Sequence, residues 1–148
     1  MPIARRSLLL ATLALGLDSA LRAPAALADP GGVALMGYDA VAYFKAGEAM
    51  PGAGHIALRW RGLLWHFASV ENRAAFEANP RAYAPQFGGL CPIALSRGEV
   101  VLGDPRNWTI RDGKLFFSAS PEGIEELRGN MNSFVSRAAE EFHSLQRR

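Results

Sequence analysis

From His55 onward the chain alternates. Ile56, Leu58 and Trp60 fall on one side, Ala57, Arg59 and Arg61 on the other. A period of two is the mark of a half-buried strand. Arg61-Gly62 reads as a tight turn, and Leu63 to Phe67 as the returning strand. On that strand Leu63, Trp65 and Phe67 share one face, Leu64 and His66 the other. Ser69 then caps a helix with Glu71 in its first turn, where an acidic side chain complements the dipole. Pro80 stops it, because the residue before a proline is pushed out of the helical region. Its apolar face draws on Ala74, Ala75 and Phe76, and Pro80 to Tyr83 can form one more helical turn.

The rest of the chain gives similar signals. Asp39 is a good N-cap for a short turn carrying Val41, Tyr43 and Phe44. Gly88-Gly89 frees the backbone for a sharp change of direction just before Cys91-Pro92. A short helix is expected from Pro92 to Ser96, and a small strand from Glu99 to Leu102. Trp108 to Ile110 and Lys114 to Phe117 flank Arg111-Asp112-Gly113, a strong hairpin signal. Ser120-Pro121-Glu122 opens another helix, which Gly129-Asn130 interrupts. Beyond it Met131, Phe134, Val135, Ala138, Phe142 and Leu145 recur at helical spacing and predict an amphipathic C-terminal helix. The pattern as a whole predicts an α+β fold. A small antiparallel sheet, from residues near 56–67 and 100–117, packs with short helices and the C-terminal helix. No internal repeat is visible.

The first residues read differently. Arg5-Arg6 precedes Ser7-Leu8-Leu9-Leu10 and an apolar run to Leu17, and Ala26-Leu27-Ala28 is an A-x-A cleavage pattern. The paired arginine and Arg22 near the cleavage point favour a twin-arginine export signal over a general secretion signal. Residues 1–28 are therefore expected to be a signal peptide and residues 29–148 the folded domain, exported to the periplasm or beyond. The apolar run ends at Asp18, short of the roughly 20 residues a membrane span needs. Residues 1–28 hold Arg5, Arg6, Arg22 and Asp18, so the remaining chain is formally neutral. No basic run remains to suggest nucleic acid or anionic lipid as a partner.

Candidate chemistry is sparse. Cys91 is the only cysteine, so no internal disulfide can form. At the start of a helix its thiol is a candidate nucleophile or soft metal ligand; a buried thiol acting as a small hydrophobe is the other reading. His66 is a candidate second ligand beside Cys91, with Met36 or His55 as a third, a soft and borderline set suited to a transition metal such as copper. As a strand residue opposite the apolar face, His66 can equally be a surface or hydrogen-bonded residue. His143, near a helix C-terminus, complements the dipole. Tyr38, Asp39, Tyr43, Trp60, Trp65, Tyr83 and Trp108 could line a small-molecule pocket, although core packing accounts for most of them. There is no phosphate loop, HExxH, CxxC, haem motif or nucleophile elbow.

Four motifs carry a family resemblance across nearly the whole of residues 29–148. They are Gly37-Tyr38-Asp39-x-Val41-Ala42-Tyr43-Phe44; Phe67-Ala68-Ser69-x-Glu71-Asn72-Arg73-x-x-Phe76; Asn79-Pro80-x-x-Tyr83-Ala84-Pro85-Gln86-x-Gly88-Gly89-x-Cys91; and Trp108-x-Ile110-x-Asp112-Gly113-Lys114-Leu115. Together they resemble the longer, exported bacterial branch of the YHS domain family. The resemblance implies a small α+β module, usually without assigned catalysis. Compact members carry metal-binding cysteines, and those positions fall here on Ala42, Ala68 and Asn72, none of which is a soft ligand. The sequence thus favours a binding protein over an enzyme. The leading expectation is a module that binds or handles a transition metal through Cys91, with His66 as partner. A thiol-based redox enzyme or sensor using Cys91, and a ligand-free structural or interaction module, remain the alternatives. The partner is then a metal ion or another periplasmic protein.

Overall fold

The structure is a computed structural model and describes residues 32–148. The expected signal peptide, residues 1–28, lies outside the described residues. Among the described residues six α-helices and four strands follow in order: α1 (Ala42–Lys45), β1 (Ala53–Trp60), β2 (Leu63–Phe67), α2 (Val70–Ala78), α3 (Pro80–Tyr83), α4 (Pro92–Leu95), β3 (Asp104–Arg111), β4 (Lys114–Ser118), α5 (Pro121–Gly129) and α6 (Met131–Gln146). The fold is α+β, as the hydrophobic pattern predicts. Its strands make two separate two-stranded antiparallel sheets, β1–β2 and β3–β4, instead of one. The expected strand at Glu99–Leu102 reduces to a single bridge between Leu102 and Leu90.

The two halves of the chain are built alike. Ala57 pairs with His66, and Trp60 with Leu63; 51 positions later Trp108 pairs with Phe117, and Arg111 with Lys114. Both hairpins lose register at the same place, between Ala53 and Ala57 and between Asp104 and Trp108. Both turns are left-handed, at Arg61-Gly62 and Asp112-Gly113, the twist that two-residue hairpins favour. Ser69 accepts from the Asn72 N–H to cap α2, and Ser120 accepts from the Gly123 N–H to cap α5. Asn79 joins α2 to α3 as Asn130 joins α5 to α6.

The correspondence reaches upstream of the sheets. Leu35-Met36-Gly37 and Phe87-Gly88-Gly89 are matching runs of positive φ. The Asp39 N–H donates to the Met50 carbonyl at 2.9 Å, and the Cys91 N–H to the Val101 carbonyl at 2.8 Å. Gly52 N–H bonds Gly37 O, and Gly103 N–H bonds Gly89 O, both at 2.8 Å. Asp39 and Cys91 thus hold the same station, as do His66 and Phe117. The residues that coincide are those the backbone demands: Gly37 and Gly89, Gly52 and Gly103, Gly62 and Gly113, Ser69 and Ser120, Asn79 and Asn130. Most core side chains do not coincide, which is why the sequence shows no repeat.

Packing follows the halves and then joins them. Trp65, Phe67 and Phe76 form the centre of the first cluster with Ala34, Ala40 and Val41. Cys91, Phe116, Ile124, Leu127, Met131 and Phe134 form the second. Tyr43 crosses between them. It packs with Leu115 and Phe117, and its hydroxyl donates to the Pro105 carbonyl at 2.8 Å. The C-terminal helix buries Met131, Phe134 and Ala138, the inner positions of its predicted apolar stripe. Among the described residues no helix is long and apolar enough to cross a membrane.

Candidate functional site

Asp39 is fully buried. Its Oδ1 accepts from the Val41 and Ala42 N–H groups at 2.8 and 3.3 Å, which is the capping role the sequence suggests. Its Oδ2 does something the sequence does not announce. It accepts from the Ala68 N–H at 2.9 Å and from the Asn72 side-chain amide at 2.7 Å. One carboxylate therefore ties the α1 turn to the end of β2 and the first turn of α2. Burying a carboxylate is costly unless its lone pairs are met, and here four donors from three segments meet them.

Cys91 holds the matching station in the second half and is 3 % exposed. It immediately precedes the single turn of α4 but makes no side-chain capping bond. Its neighbours are Ile93, Phe116, Ile124, Leu127, Met131 and Phe134. Its nearest polar contact is the Ser118 hydroxyl, 3.9 Å from Sγ. The thiol fills space in an apolar core.

His66 lies elsewhere, on β2, facing the break in register. A Cβ placed on Gly37 would stand 3.4 Å from His66 Nδ1. One placed on Gly54 would stand 3.6 Å from Cε1 and 4.0 Å from Nε2. One placed on Gly52 would collide with the His66 backbone at 2.4 Å. The ring is thus flanked by two glycines, Gly37 and Gly54, while Gly52 presses on the backbone behind it. Among the described residues, its Nε2 is the buried side-chain nitrogen or oxygen atom left without a hydrogen-bond partner. His66 is therefore neither a freely solvated nor a fully hydrogen-bonded strand residue. Cys91 belongs to the apolar cluster of the second half, whereas His66 stands on β2 of the first.

The remaining candidates divide clearly. Met36 is 54 % exposed on its left-handed turn. His55 is exposed within the register break, and His143 is exposed in the last turn of α6. The aromatic set packs internally. Trp60 meets Trp65 and Phe76 edge-on, Trp65 lies tilted against Phe76, Tyr83 meets Phe44 edge-on, and Tyr43 meets Trp108 and Phe117 edge-on. Burial pushes the Tyr43 hydroxyl well above the ordinary tyrosine range, with the charges of Tyr38, Asp104 and Asp39 adding to the effect. Outside, the Arg106 guanidinium holds the Asp104 carboxyl below the usual carboxylate range. Among the described residues no three His, Cys, Asp or Glu side chains gather closely enough to hold a metal ion. Comparisons of the chain with protein-family models, with curated proteins and with solved structures find no match.

Proposed function

We propose that the chain is a small, exported, non-catalytic binding module of the YHS type whose framework stands without metal. The observation that carries this reading is the Asp39 carboxylate. It accepts from the Ala42 and Ala68 N–H groups and from the Asn72 side chain. Those are the three positions that the YHS resemblance assigns to metal-binding cysteines. A carboxylate and four hydrogen bonds then join the segments that a thiolate-bound metal joins in compact members. Cys91, at the corresponding station of the second half, serves as framework by packing, without such a network. Such a plan frees ligand binding from folding, since no structural metal has to be loaded for the domain to close.

The test is thermal unfolding of the purified protein before and after exhaustive chelation, with timed alkylation of the native thiol. The expected result is an unchanged Tm and a Cys91 thiol that reacts only as the protein opens. A large fall in Tm on chelation would overturn the reading.

A further inference from the structure

The halves are alike, but they are joined on one side only. The outer face of the second sheet carries Leu115 and Phe117, at most 1 % exposed. Tyr43 of the first half packs on them, with Tyr38, Phe44 and Ala49 alongside. The residues that match Tyr43 and Tyr38 are Leu95 and Leu90. The Ala94 carbonyl takes the Glu99 N–H as the Ala42 carbonyl takes the Gly47 N–H, and Leu90 bridges Leu102 as Tyr38 bridges Pro51. The same join on the other side would lay Leu95 and Leu90 on the outer face of the first sheet. They pack instead with Ala138, Phe142 and Leu145 of α6, and Leu63, from the inner face, is the first-sheet residue that reaches this cluster. The helix α6 runs for 16 residues where its counterpart α3 has 4. Its extra turns stand where a sheet would.

Two surfaces are left over, one on each half. The outer face of the first sheet bears Leu64 and His66, paired across the strands with Arg59 and Ala57. Leu64, His66 and Ala57 are half-buried and Arg59 is exposed. Among the described residues Leu64 joins no apolar cluster, whereas its counterpart Leu115 is fully buried. On the second half Val100 matches Ala49 but is 47 % exposed, and Val101 and Leu102 continue the run at 39 and 37 %. Contiguous exposed apolar side chains of this kind mark a contact surface. The two surfaces are complementary in kind, because their counterparts already meet inside the molecule, where Ala49 packs on the cluster of Tyr43, Leu115 and Phe117. Their charges agree as well. Glu99 precedes Val100, Arg59 lies on the sheet face, and among the described residues neither makes an ion pair.

We propose that a second copy of this chain covers both surfaces, with the Val100–Leu102 run of each copy lying on the outer β1–β2 face of the other. Two reciprocal contacts of this kind close a twofold dimer. Arg59 of one copy then faces Glu99 of the other, a pairing that sets register more than affinity. The residues involved on each side are far fewer than the roughly 20–30 of a standard interface. The dimer therefore forms weakly and at high concentration. The interface is independent of what the module binds.

The test is sedimentation velocity of the purified protein from micromolar concentration up to about 1 mM. A concentration-dependent rise from monomer toward dimer is expected. Leu64→Glu brings a carboxylate against Glu99, and Val100→Lys brings an ammonium against Arg59. Each variant alone is expected to weaken association by about ten-fold or more, through like charge and a charge buried without a partner. Mixed one to one, the two variants are expected to recover association, because one contact is then unaltered and the other pairs opposite charges. Arg59→Glu and Glu99→Arg, both at exposed positions, probe the same contact without touching the core. Each alone is expected to weaken association, and the two in one chain to restore it. A single monomeric species at every concentration would overturn the interface. Association that survives Leu64→Glu would overturn it too, as would a mixture of the two variants that stays monomeric. Loss in Val100→Lys alone would assign the apolar run to pairing with itself and overturn the reciprocal contact.

Discussion

The side-chain amide of Asn72 donates to Oδ2 of Asp39 at 2.7 Å, and this one bond joins α2 to the turn that leads into α1. The acceptor is fully buried, and the same oxygen also takes the Ala68 N–H. Asp39→Ala leaves these donors and two further backbone N–H groups without their partner. The expected cost is about 3 kcal/mol or more, in the range reserved for broken buried networks. Asn72→Ala removes only one of the four bonds and should cost about 1–2 kcal/mol. Denaturant unfolding of both variants checks the order. Equal costs for the two would show that Asp39 acts only through Asn72.

At the matching station of the second half, Cys91 has no such network, and its substitution should be milder. Cys91→Ala removes one buried atom from the cluster of Phe116, Leu127 and Met131. A loss of about 1–2 kcal/mol is expected, since the site relaxes only in part. The native thiol should react with an alkylating reagent at a rate that follows local opening. Alkylation rates across low denaturant, set against unfolding measured by circular dichroism, check this. A native rate equal to that of a small model thiol would show an accessible sulfur and refute it.

The local signals in the sequence translate directly into structure. Arg61-Gly62 and Asp112-Gly113 make turns, Ser69 and Ser120 cap helices, and Asn130 divides α5 from α6. These are properties of one or two residues and their own backbone. The long-range features are hidden for a physical reason. In the repeated plan, Trp65, His66 and Phe67 stand where Phe116, Phe117 and Ser118 stand, so each half solves its core with different side chains. The unmet Nε2 of His66 depends on the register break opposite it, which leaves no mark in an alternating strand. Pairing Cys91 with His66 follows from ligand chemistry alone, while the fold assigns them to different halves.

Tyr43 gives the molecule a predictable response to alkali. Burial raises its hydroxyl far above the ordinary value of 10.0, while the unfolded chain titrates near that ordinary value. Above it the unfolded state binds fewer protons than the native state, so stability falls as pH rises. Below it both states keep the proton and the slope vanishes. The limiting slope for one such group is about 1.4 kcal/mol per pH unit. Tyr43→Phe should lose about 1 kcal/mol near neutrality, with the bond to the Pro105 carbonyl. It should also abolish this share of the alkaline slope. Unfolding free energies of the two proteins from pH 8 upward, compared as a difference, isolate the effect. A constant difference across that range would exclude it.

The twofold plan also points to a stabilising change. Gly129 ends α5 where Ala78 ends α2. A Cβ on Gly129 meets nothing within 4 Å, and its φ is not left-handed. Gly129→Ala should therefore gain about 0.5–1 kcal/mol by restricting the unfolded chain. A rise in Tm of roughly 2–5 °C follows for a domain of this size. Calorimetry checks it, and a fall in Tm would mean that the helix end needs the freedom of glycine.

Gly52 and Gly103 make the opposite case, and they test whether the halves are equivalent in energy as well as in shape. A Cβ on Gly52 would lie 2.4 Å from the His66 carbonyl carbon, and one on Gly103 would lie 2.4 Å from Phe117 Cβ. Neither obstacle is the far end of a flexible chain, so each substitution must push two backbones apart. The same backbones carry the Gly52–Gly37 and Gly103–Gly89 hydrogen bonds. Losing the bond while adding the clash should cost about 3 kcal/mol or more at either position. Gly54→Ala, with contacts of 3.6 and 4.0 Å, should cost less than 1 kcal/mol, the ordinary range for a site with room. Unfolding of the three variants under one set of conditions decides the matter. If Gly52→Ala is tolerated while Gly103→Ala is not, the first half is the looser copy.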